Sequence, residues 1–412
     1  MNPGAEEPAL KDPEPEAAEA DGIGVGAAAT GPAAARTDPA ADSEAKSGTD
    51  RVRFWHGWCL GTRLVVAAAL LWLAFAVARP LLSGRLAWWS LLDLVPPVAL
   101  LAVPVLFAAA IPALRLVRIR LPRSARWSVA GLAVAALAAG FPQSGLNIAA
   151  LGGAAPAPPA NALHVTVWDT VGWDTKKDSD AFYRYLIDQH SDVYVLQEYL
   201  GVDASGAPVP INDKARLRAA FPGFHIAASG ELLTLSRYPI VGQHTVGAAL
   251  RPSASLVQGY WPVRILRTDL DIGGRVVSIY NLHLPDLLSF APSPFTPAFY
   301  EESSELAGWR NAEMGALKAD LAADRHPVVV AGSLNLVPGS AALGAVAGLQ
   351  DAGHASRSLY PVSFWVGHLE AWRMDWTFVS PGVRVYRYDL ISPQGLSTHR
   401  AQNIVLSLPN AG

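Results

Sequence analysis

The sequence predicts an α+β fold: a four-layer α/β/β/α sandwich of two mixed sheets flanked by helices, preceded by three transmembrane helices. Two features of the 412 residues lead to this prediction. Apolar residues are concentrated between about Leu60 and Leu146, in segments long enough to suggest membrane spans. From Leu163 onward, many short apolar runs with few helices between them favour two packed sheets over a doubly wound parallel sheet.

The composition of the whole chain excludes several classes of protein. Hydrophobic residues make up 51% and charged residues only 16%, which is unusual for a purely soluble protein. A net charge of −3 argues against a general nucleic-acid binder, whose surface would be basic. The single cysteine, Cys59, excludes an internal disulfide and any metal site built from several cysteines. Residues 1–50 are rich in Ala, Glu, Pro, Asp and Gly, and we expect a disordered cytoplasmic tail.

Residues 51–146 are predicted to form a three-span membrane anchor. The apolar segments are Leu64 to Ala78, Trp88 to Leu114 with its Pro96-Pro97 pair, and the shorter, Ala-rich Trp127 to Phe141. Three arginines precede the first segment, two follow it, and five lie between the second and third. This asymmetry places the N-terminus in the cytoplasm and everything after the third segment outside. The alternative is a soluble protein with a buried hairpin of core helices.

Residues 147–162 read as an Ala- and Pro-rich linker, and residues 163–412 as one extracytoplasmic domain. Apolar runs bounded by turn residues predict strands at His164–Trp168, Val193–Gln197, Phe224–Ala228, Leu232–Leu235, Val263–Leu270, Arg275–Tyr280, Val328–Ala331, Asp375–Val379, Val383–Tyr388 and Asn403–Leu408. Helical periodicity predicts helices at Ser179–Gln189, Asp213–Ala220, Glu302–Ala323 and Ser340–Ala347.

Polar side chains follow several of the predicted strands. The run from Ser191 ends in Glu198, and a carboxylate at a buried strand tip is costly unless it is paired or binds a metal. Oxygen ligands of this kind suit Mg²⁺, which needs only one or two carboxylates. His283 and His399 also end apolar runs, and a histidine pair can donate to phosphoryl oxygens and exchange protons near neutral pH. We expect these strand ends to converge on one pocket.

Seven motifs follow one another along about 240 residues of the chain. They are Val165-Thr166-Val167-Trp168-Asp169, Leu196-Gln197-Glu198, Leu235-Ser236-Arg237-Tyr238-Pro239-Ile240, Asn281-Leu282-His283-Leu284, Gly332-Ser333-Leu334-Asn335, Arg373-Met374-Asp375-Trp376-Thr377-Phe378-Val379-Ser380 and Ser397-Thr398-His399-Arg400. In this order they resemble the motifs of the endonuclease/exonuclease/phosphatase family, the metal-dependent phosphodiesterases and phosphatases of DNase I type. The resemblance implies the same fold and a hydrolase acting on phosphoester or phosphoanhydride bonds.

The resemblance also implies roles for individual residues. The catalytic residues would be His283, His399, Asp375 and Asn335. Asp375 would orient His399, in the usual carboxylate–imidazole arrangement. Asn335 would donate to a phosphoryl oxygen; the alternative is a turn-forming Asn before Pro338. The metal would be a divalent cation, Mg²⁺ or Mn²⁺, held by Glu198 and Asp169.

Three positions depart from the family pattern. Ser333 and Thr398 stand where the family has Asp, and Asp169 stands where it has Asn. The missing carboxylates act on the attacking water and at the metal site in the family, so their loss argues against turnover. Asp169 restores one negative charge beside Glu198, which argues for it. Two readings therefore stay open: a working phosphoesterase, and a degenerate member that binds phosphorylated envelope ligands without turnover.

The expected substrate is a phosphorylated small molecule or lipid, with the membrane as partner and nucleic acid disfavoured. The plan of an anchor followed by this domain resembles the membrane-anchored teicoplanin-resistance proteins of actinobacteria within the family, which implies a lipid carrier of the cell envelope. The segment Asp286 to Tyr300 is apolar and Pro-rich. This segment either contacts lipid or simply covers the core, and the sequence favours neither alternative.

Overall fold

The computed structural model describes residues 58–116, 121–152, 156–173, 179–202, 208–209, 211, 213–247, 263–289 and 291–409. Residues Trp58–Gly412 belong to one compact unit. The tail predicted for residues 1–50 lies outside the described residues.

The described chain begins with apolar helices. In order these are α1 (Leu60–Leu82), a 3₁₀ turn (Ala87–Trp89), α2 (Ser90–Asp93), α3 (Ala99–Leu116) and α4 (Arg123–Gly140). By length and composition, two helices of the described part are able to cross a membrane: α1, and α4 with its extension to Gln143. The apolar stretch of α3, Ala99–Leu114, is shorter. Their length and composition are compatible with membrane spans, and membrane anchoring and the number of crossings stay predictions.

The second apolar segment differs from its predicted form. It was expected to run from Trp88 to Leu114, but the α-helix begins only at Ala99. Pro96 and Pro97 lie just before it, separated from Ala99 only by Val98, and proline both lacks an N–H donor and disfavours helical geometry in the residue before it. Residues 83–98, which include this pair, form a separate connector between α1 and α3.

The described part of the domain after residue 162 contains sixteen strands and three α-helices. In chain order the described strands are β1 (Leu163–Asp169), β2 (Val193–Gln197), β3 (Gly201–Val202), β4 (Pro208–Val209), β5 (His225–Ser229), β6 (Leu232–Ser236), β7 (Ile240–Val246), β8 (Ile265–Asp271), β9 (Val276–His283), β10 (Val328–Ser333), β11 (Gln350–Asp351), β12 (Phe364–Val366), β13 (Leu369–Trp372), β14 (Asp375–Val379), β15 (Arg384–Ile391) and β16 (Ala401–Ser407). The described α-helices among them are α5 (Ser179–Asp188), α6 (Lys214–Ala220) and α7 (Pro297–Ala323).

Two six-stranded sheets form the centre of the domain. The first has the order β15-β16-β1-β2-β6-β5, and the second β11-β14-β10-β9-β8-β7. In the first sheet β1 is parallel to β2 and antiparallel to β16. In the second, β10 is parallel to β9 and antiparallel to β14. Both sheets are therefore mixed, and the carboxyl ends of β1, β2, β9 and β10 carry the candidate site.

Three apolar clusters hold the layers together. Between the sheets, Val165 and Val195 of the first sheet pack with Ile279 and Val329 of the second. A second cluster joins the outer face of the first sheet to α5 and α6, and a third joins the outer face of the second sheet to α7. Burial of such apolar surface is the main favourable term in folding. The predicted α/β/β/α sandwich is confirmed.

Candidate active site

The candidate site lies where the ends of both sheets meet. Asp169 ends β1, Glu198 follows β2, His283 ends β9, and Asp375 begins β14. His399 precedes β16. Two groups each have metal-binding atoms within 4.8 Å of one another: Asp169, Glu198 and His283 form one, and Asp169, Asp375 and His399 form the other. Asp169 belongs to both, so the structure brings five of the six predicted site residues into one cluster.

His399 is held by Asp375 in a buried pair. Nδ1 of the imidazole lies 3.0 Å from Oδ1 and 2.9 Å from Oδ2 of the carboxylate. Burial by itself would lower the pKa of His399, but the charges of Asp375 and Asp169 outweigh it and raise this pKa to about 9. The backbone N–H of Asp375 in turn donates to Oγ of Ser363 over 3.0 Å. His399 is thus oriented by Asp375, and its raised pKa favours the protonated form, in which Nε2 is the remaining donor.

His283 has a carboxylate partner that the sequence did not reveal. Its Nδ1 lies 3.1 Å from Oε1 of Glu231, and its Nε2 lies 3.7 Å from Oδ2 of Asp169. Burial would lower the pKa of His283, but Glu231 and Asp169 raise it to about 10. Glu231 is also ion-paired with the buried Arg264. Glu231 stands in the turn between β5 and β6, and no motif near it indicated that it would face His283.

Glu198 and Asp169 bring two carboxylates close together. Burial and then the neighbouring charge of Asp169 raise the pKa of Glu198 to about 8. Oδ1 of Asp169 accepts the N–H of Val171 over 3.1 Å, which fixes one carboxylate edge. Glu198 has a left-handed backbone, with φ of 59°, an uncommon conformation for a residue with a side chain. Such strained positions are concentrated at functional sites.

Asn335 lies two residues beyond the end of β10. Its Nδ2 donates to the carbonyl of Leu284 over 2.8 Å and to Oδ1 of Asp286 over 3.2 Å. Because both partners are hydrogen-bond acceptors, the side-chain nitrogen of Asn335 and not its oxygen faces them. The amide donors are therefore engaged within the protein, and Oδ1 is the other polar atom of the side chain. The predicted donation from Asn335 to a phosphoryl oxygen stays a prediction.

The two positions that lost a carboxylate differ in their surroundings. In the strand pairing, Ser333 of β10 lies opposite His283 of β9 on one side and opposite Asp375 of β14 on the other. It is fully buried, and its Oγ has no hydrogen-bond partner within the described part of the chain. Thr398 is exposed. A carboxylate at position 333 would lie between His283 and Asp375, whereas one at position 398 would be exposed to solvent.

These residues fit a divalent cation. Asp169 and Glu198 offer carboxylate oxygens, the ligands that hard cations prefer, and their mutual repulsion is the kind that a bound cation removes. The imidazoles of His283 and His399 add nitrogen atoms within the same distance. The acidic and histidine groups can therefore hold a metal ion, although the geometry does not select which one.

Comparison with known proteins agrees with this geometry. A family profile described as the "Endonuclease/Exonuclease/phosphatase family" matches residues 167–399, more than half of the chain. The chain therefore belongs to the endonuclease/exonuclease/phosphatase family, and the resemblance derived from the motifs is confirmed. No curated protein matches the chain.

Several solved structures are similar to the domain at low identity. An endonuclease/exonuclease/phosphatase from Bacteroides vulgatus is 18% identical, with a TM-score of 0.42, and the match covers 60% of this chain and 99% of that one. Sphingomyelinase C from Streptomyces griseocarneus is 17% identical, with a TM-score of 0.40, and covers 60% and 99%. Mannosyl-6-phosphatase from Bacteroides thetaiotaomicron is 15% identical, with a TM-score of 0.41, and covers 60% and 100%.

Proposed function

We propose that the protein is a membrane-anchored, metal-dependent phosphoesterase that hydrolyses a phosphate ester or pyrophosphate outside the cytoplasm. The observation that carries this proposal is the cluster around Asp169. Two carboxylates able to hold a cation lie beside two imidazoles, and each imidazole has its own carboxylate partner. Membership of a phosphoesterase family supports the same reaction class.

The residues divide into two roles. Glu198 and Asp169 would hold Mg²⁺, whose charge would offset the negative charge of a phosphoryl group. His399, kept protonated by Asp375, donates to a phosphoryl or leaving-group oxygen. His283, oriented by Glu231, presents a second positive charge to the same group. Donors fixed in advance toward developing charge are the largest single source of catalysis in many enzymes.

The experiment measures phosphate release by the full chain purified in detergent. We expect release from a panel of phosphate monoesters, diesters and pyrophosphates to require Mg²⁺ and to stop on chelation. His399→Ala should lower kcat by about 10²- to 10⁴-fold, the usual contribution of a general acid. His225→Ala is the matched control, because His225 is exposed on β5. Absence of metal-dependent turnover on the whole panel would reject the proposal.

The second candidate function is binding without turnover. Ser333 and Thr398 favour it, because a hydroxyl cannot replace the carboxylates that the family uses at these positions. This candidate predicts saturable binding of a phosphorylated ligand by the wild-type chain in the absence of any hydrolysis. Isothermal titration with pyrophosphate and Mg²⁺, run beside the release assay, separates the two.

Exposed aromatic side chains on the segment after Asp286 and on the connector support a lipid-linked substrate. The segment that starts at Asp286, whose carboxylate accepts from Asn335, continues to Phe295, which is 96% exposed. Trp88 of the connector is 54% exposed, and its neighbour Trp89 stacks on Phe75 of α1 at 5.8 Å. Exposed aromatic side chains beside an apolar helix are typical of a membrane interface.

A substitution at Phe295 tests this part of the proposal. In vesicles, Phe295→Asp should lower the turnover of a long-chain lipid phosphate while leaving a short-chain, soluble analogue unaffected, because the change weakens contact with lipid and not the site itself. Val241→Asp is the control, since Val241 is 58% exposed but lies on β7, outside the segment that carries Phe295. Equal losses on both substrates, or none on either, would remove the support for lipid contact.

A further inference from the structure

The first apolar helix contacts the segment that carries Asn335. This segment, Leu334–Ala341, follows β10 and is called the Asn335 loop here. Nη1 of Arg79, near the end of α1, donates to the carbonyl of Pro338 over 3.1 Å. Just beyond α1, the carbonyl of Ser83 accepts the backbone N–H of Ala341 over 3.0 Å. Residues more than 250 positions apart are therefore joined by direct hydrogen bonds.

A buried ion pair fixes Arg79 in this position. Nε of Arg79 lies 3.5 Å from Oδ1 of Asp93, which stands at the end of α2 in the connector. Oδ2 of the same carboxylate accepts from Oγ of Ser83 over 2.9 Å. Arg79 and Asp93 are both fully buried. A buried charge is tolerated when it is paired, so the arginine and the carboxylate depend on each other.

Two glycines show how closely the anchor and the loop approach. A Cβ added at Gly84 would lie 2.4 Å from Oγ of Ser340, and one added at Gly339 would lie 2.7 Å from Cγ of Gln143. Both glycines have positive φ angles, 73° and 81°, which residues with side chains rarely adopt. At these two points the loop is packed closely against the connector and against the residues that follow α4.

The other side of the loop is bound to the candidate active site. Leu334 donates its N–H to the carbonyl of Met374 over 3.1 Å, next to Asp375. Nε1 of Trp376 donates to the carbonyl of Leu336 over 2.8 Å. Asn335 itself is bonded to Leu284 and Asp286. The loop is held between the site and the anchor, and its position depends on both.

We propose that Arg79 and Asp93 are positioning residues of the active site: the buried pair in the anchor holds the Asn335 loop in the geometry that the reaction needs. The membrane helices would then help to hold the active site in shape, in addition to anchoring the domain. Small displacements of a positioned group can cost about 10²-fold in rate. This inference rests on the proposed hydrolysis, because kcat is one of its readouts.

The central test is a double variant, Arg79→Met with Asp93→Leu, in the full chain in detergent. Apolar residues of similar volume replace the pair, which is often neutral for stability, while the hydrogen bond to Pro338 is lost. We expect a fall in kcat of about 10- to 100-fold with little change in KM. Hydrogen–deuterium exchange should become faster in residues 334–341 and stay unchanged in β9 and β10.

Two further variants keep the test decisive. Gly84→Ala displaces Ser340 without altering any charge, and we expect it to lower kcat as well. Arg267→Met is the control: Arg267 is also ion-paired, with Asp269 at 2.8 Å, but it lies in β8 away from the loop. It should lower the melting temperature and leave kcat unchanged.

The outcomes separate the two proposals. Wild-type kcat and wild-type exchange in the folded double variant would overturn the positioning role, and so would wild-type kcat in Gly84→Ala if the double variant does not fold. A wild-type chain without turnover would reject the proposed hydrolysis instead. In that case faster exchange confined to residues 334–341 would still support the contact between anchor and loop, and unchanged exchange would overturn it.

Discussion

Ser333 is the altered motif position that lies directly beside two of the predicted catalytic residues. Its side chain stands between His283 and Asp375 in the strand register, is fully buried, and leaves its hydroxyl without a hydrogen-bond partner among the described residues. An unpaired buried hydroxyl costs roughly 1–3 kcal/mol. Asp169, on the other sheet, carries a carboxylate where the family has Asn. The negative charge of the site is therefore distributed differently from the family pattern. The family motif is therefore altered at its centre and preserved around it.

A substitution to aspartate tests this position. Ser333→Asp places a carboxylate next to His283 and Asp375, where it can act on the attacking water. We expect kcat for the best substrate of the panel to rise by about 10²-fold, the lower range for a general base. Phosphate release by the variant and the wild-type chain is compared at equal Mg²⁺. A fall in kcat would show that the site works with Asp169 in place of the missing carboxylate.

The sequence predicted some site residues well and others not at all. Asp169, Glu198 and His283 lie at the carboxyl ends of strands, as expected, and strands carry their ends to a common edge. Asp375 instead begins β14, and His399 lies before β16, so the expectation that His399 ends a strand was wrong. The partners Glu231, Arg264 and Asp286 lie in turns or strand edges, and their role depends on a residue far away in the chain. Local patterns contain no information on such pairs.

At the level of elements, apolar runs located the strands and failed where polar residues dominate. β2 and β14 have the predicted bounds, since both are fully buried. β7 was not predicted, because it is an edge strand whose side chains are mostly exposed and polar. The helix predicted over Ser340–Ala347 is a 3₁₀ helix over Ala341–Val346. Periodicity does not distinguish these two helix types in so short a segment.

The pair between β11 and the start of β14 gives a prediction for stability. Oδ1 and Oδ2 of Asp351 each lie 2.6 Å from a guanidinium nitrogen of Arg373. Burial alone would raise the pKa of Asp351, but the charge of Arg373 holds it below its ordinary value. The folded state therefore binds this proton less tightly than the unfolded state does. The stabilisation is present above the unfolded pKa of about 3.9 and is lost as the pH falls through the folded value.

Asp351→Asn should thus lower the free energy of unfolding by about 3–5 kcal/mol at pH 7, because it leaves a buried guanidinium without its counter-charge. The difference from wild type should become smaller as the pH is lowered below 4. Chemical denaturation in detergent at pH 7 and pH 3 measures both values. A difference of the same size at the two pH values would contradict the assigned role of the ion pair.

At the scale of the whole molecule, the single cysteine provides a direct test of orientation. Cys59 is exposed immediately before α1. We expect a membrane-impermeant maleimide to label it only after the cells are permeabilised. In a Cys59→Ser background, Ala160→Cys should be labelled in intact cells, since Ala160 is exposed just before β1. Labelling of Cys59 alone in intact cells would reverse the proposed topology.

The contact between Arg79 and the carbonyl of Pro338 also determines which positions are free to vary. A main-chain oxygen accepts the bond whatever side chain residue 338 carries, so the bond itself does not require a proline there. Gly84 and Gly339 are constrained, because a side chain at either position would meet a neighbouring side chain. Grafting the domain onto a foreign helical stalk would therefore remove these contacts. We expect a chimaera to keep them only if the first helix, the connector and the loop are transferred together.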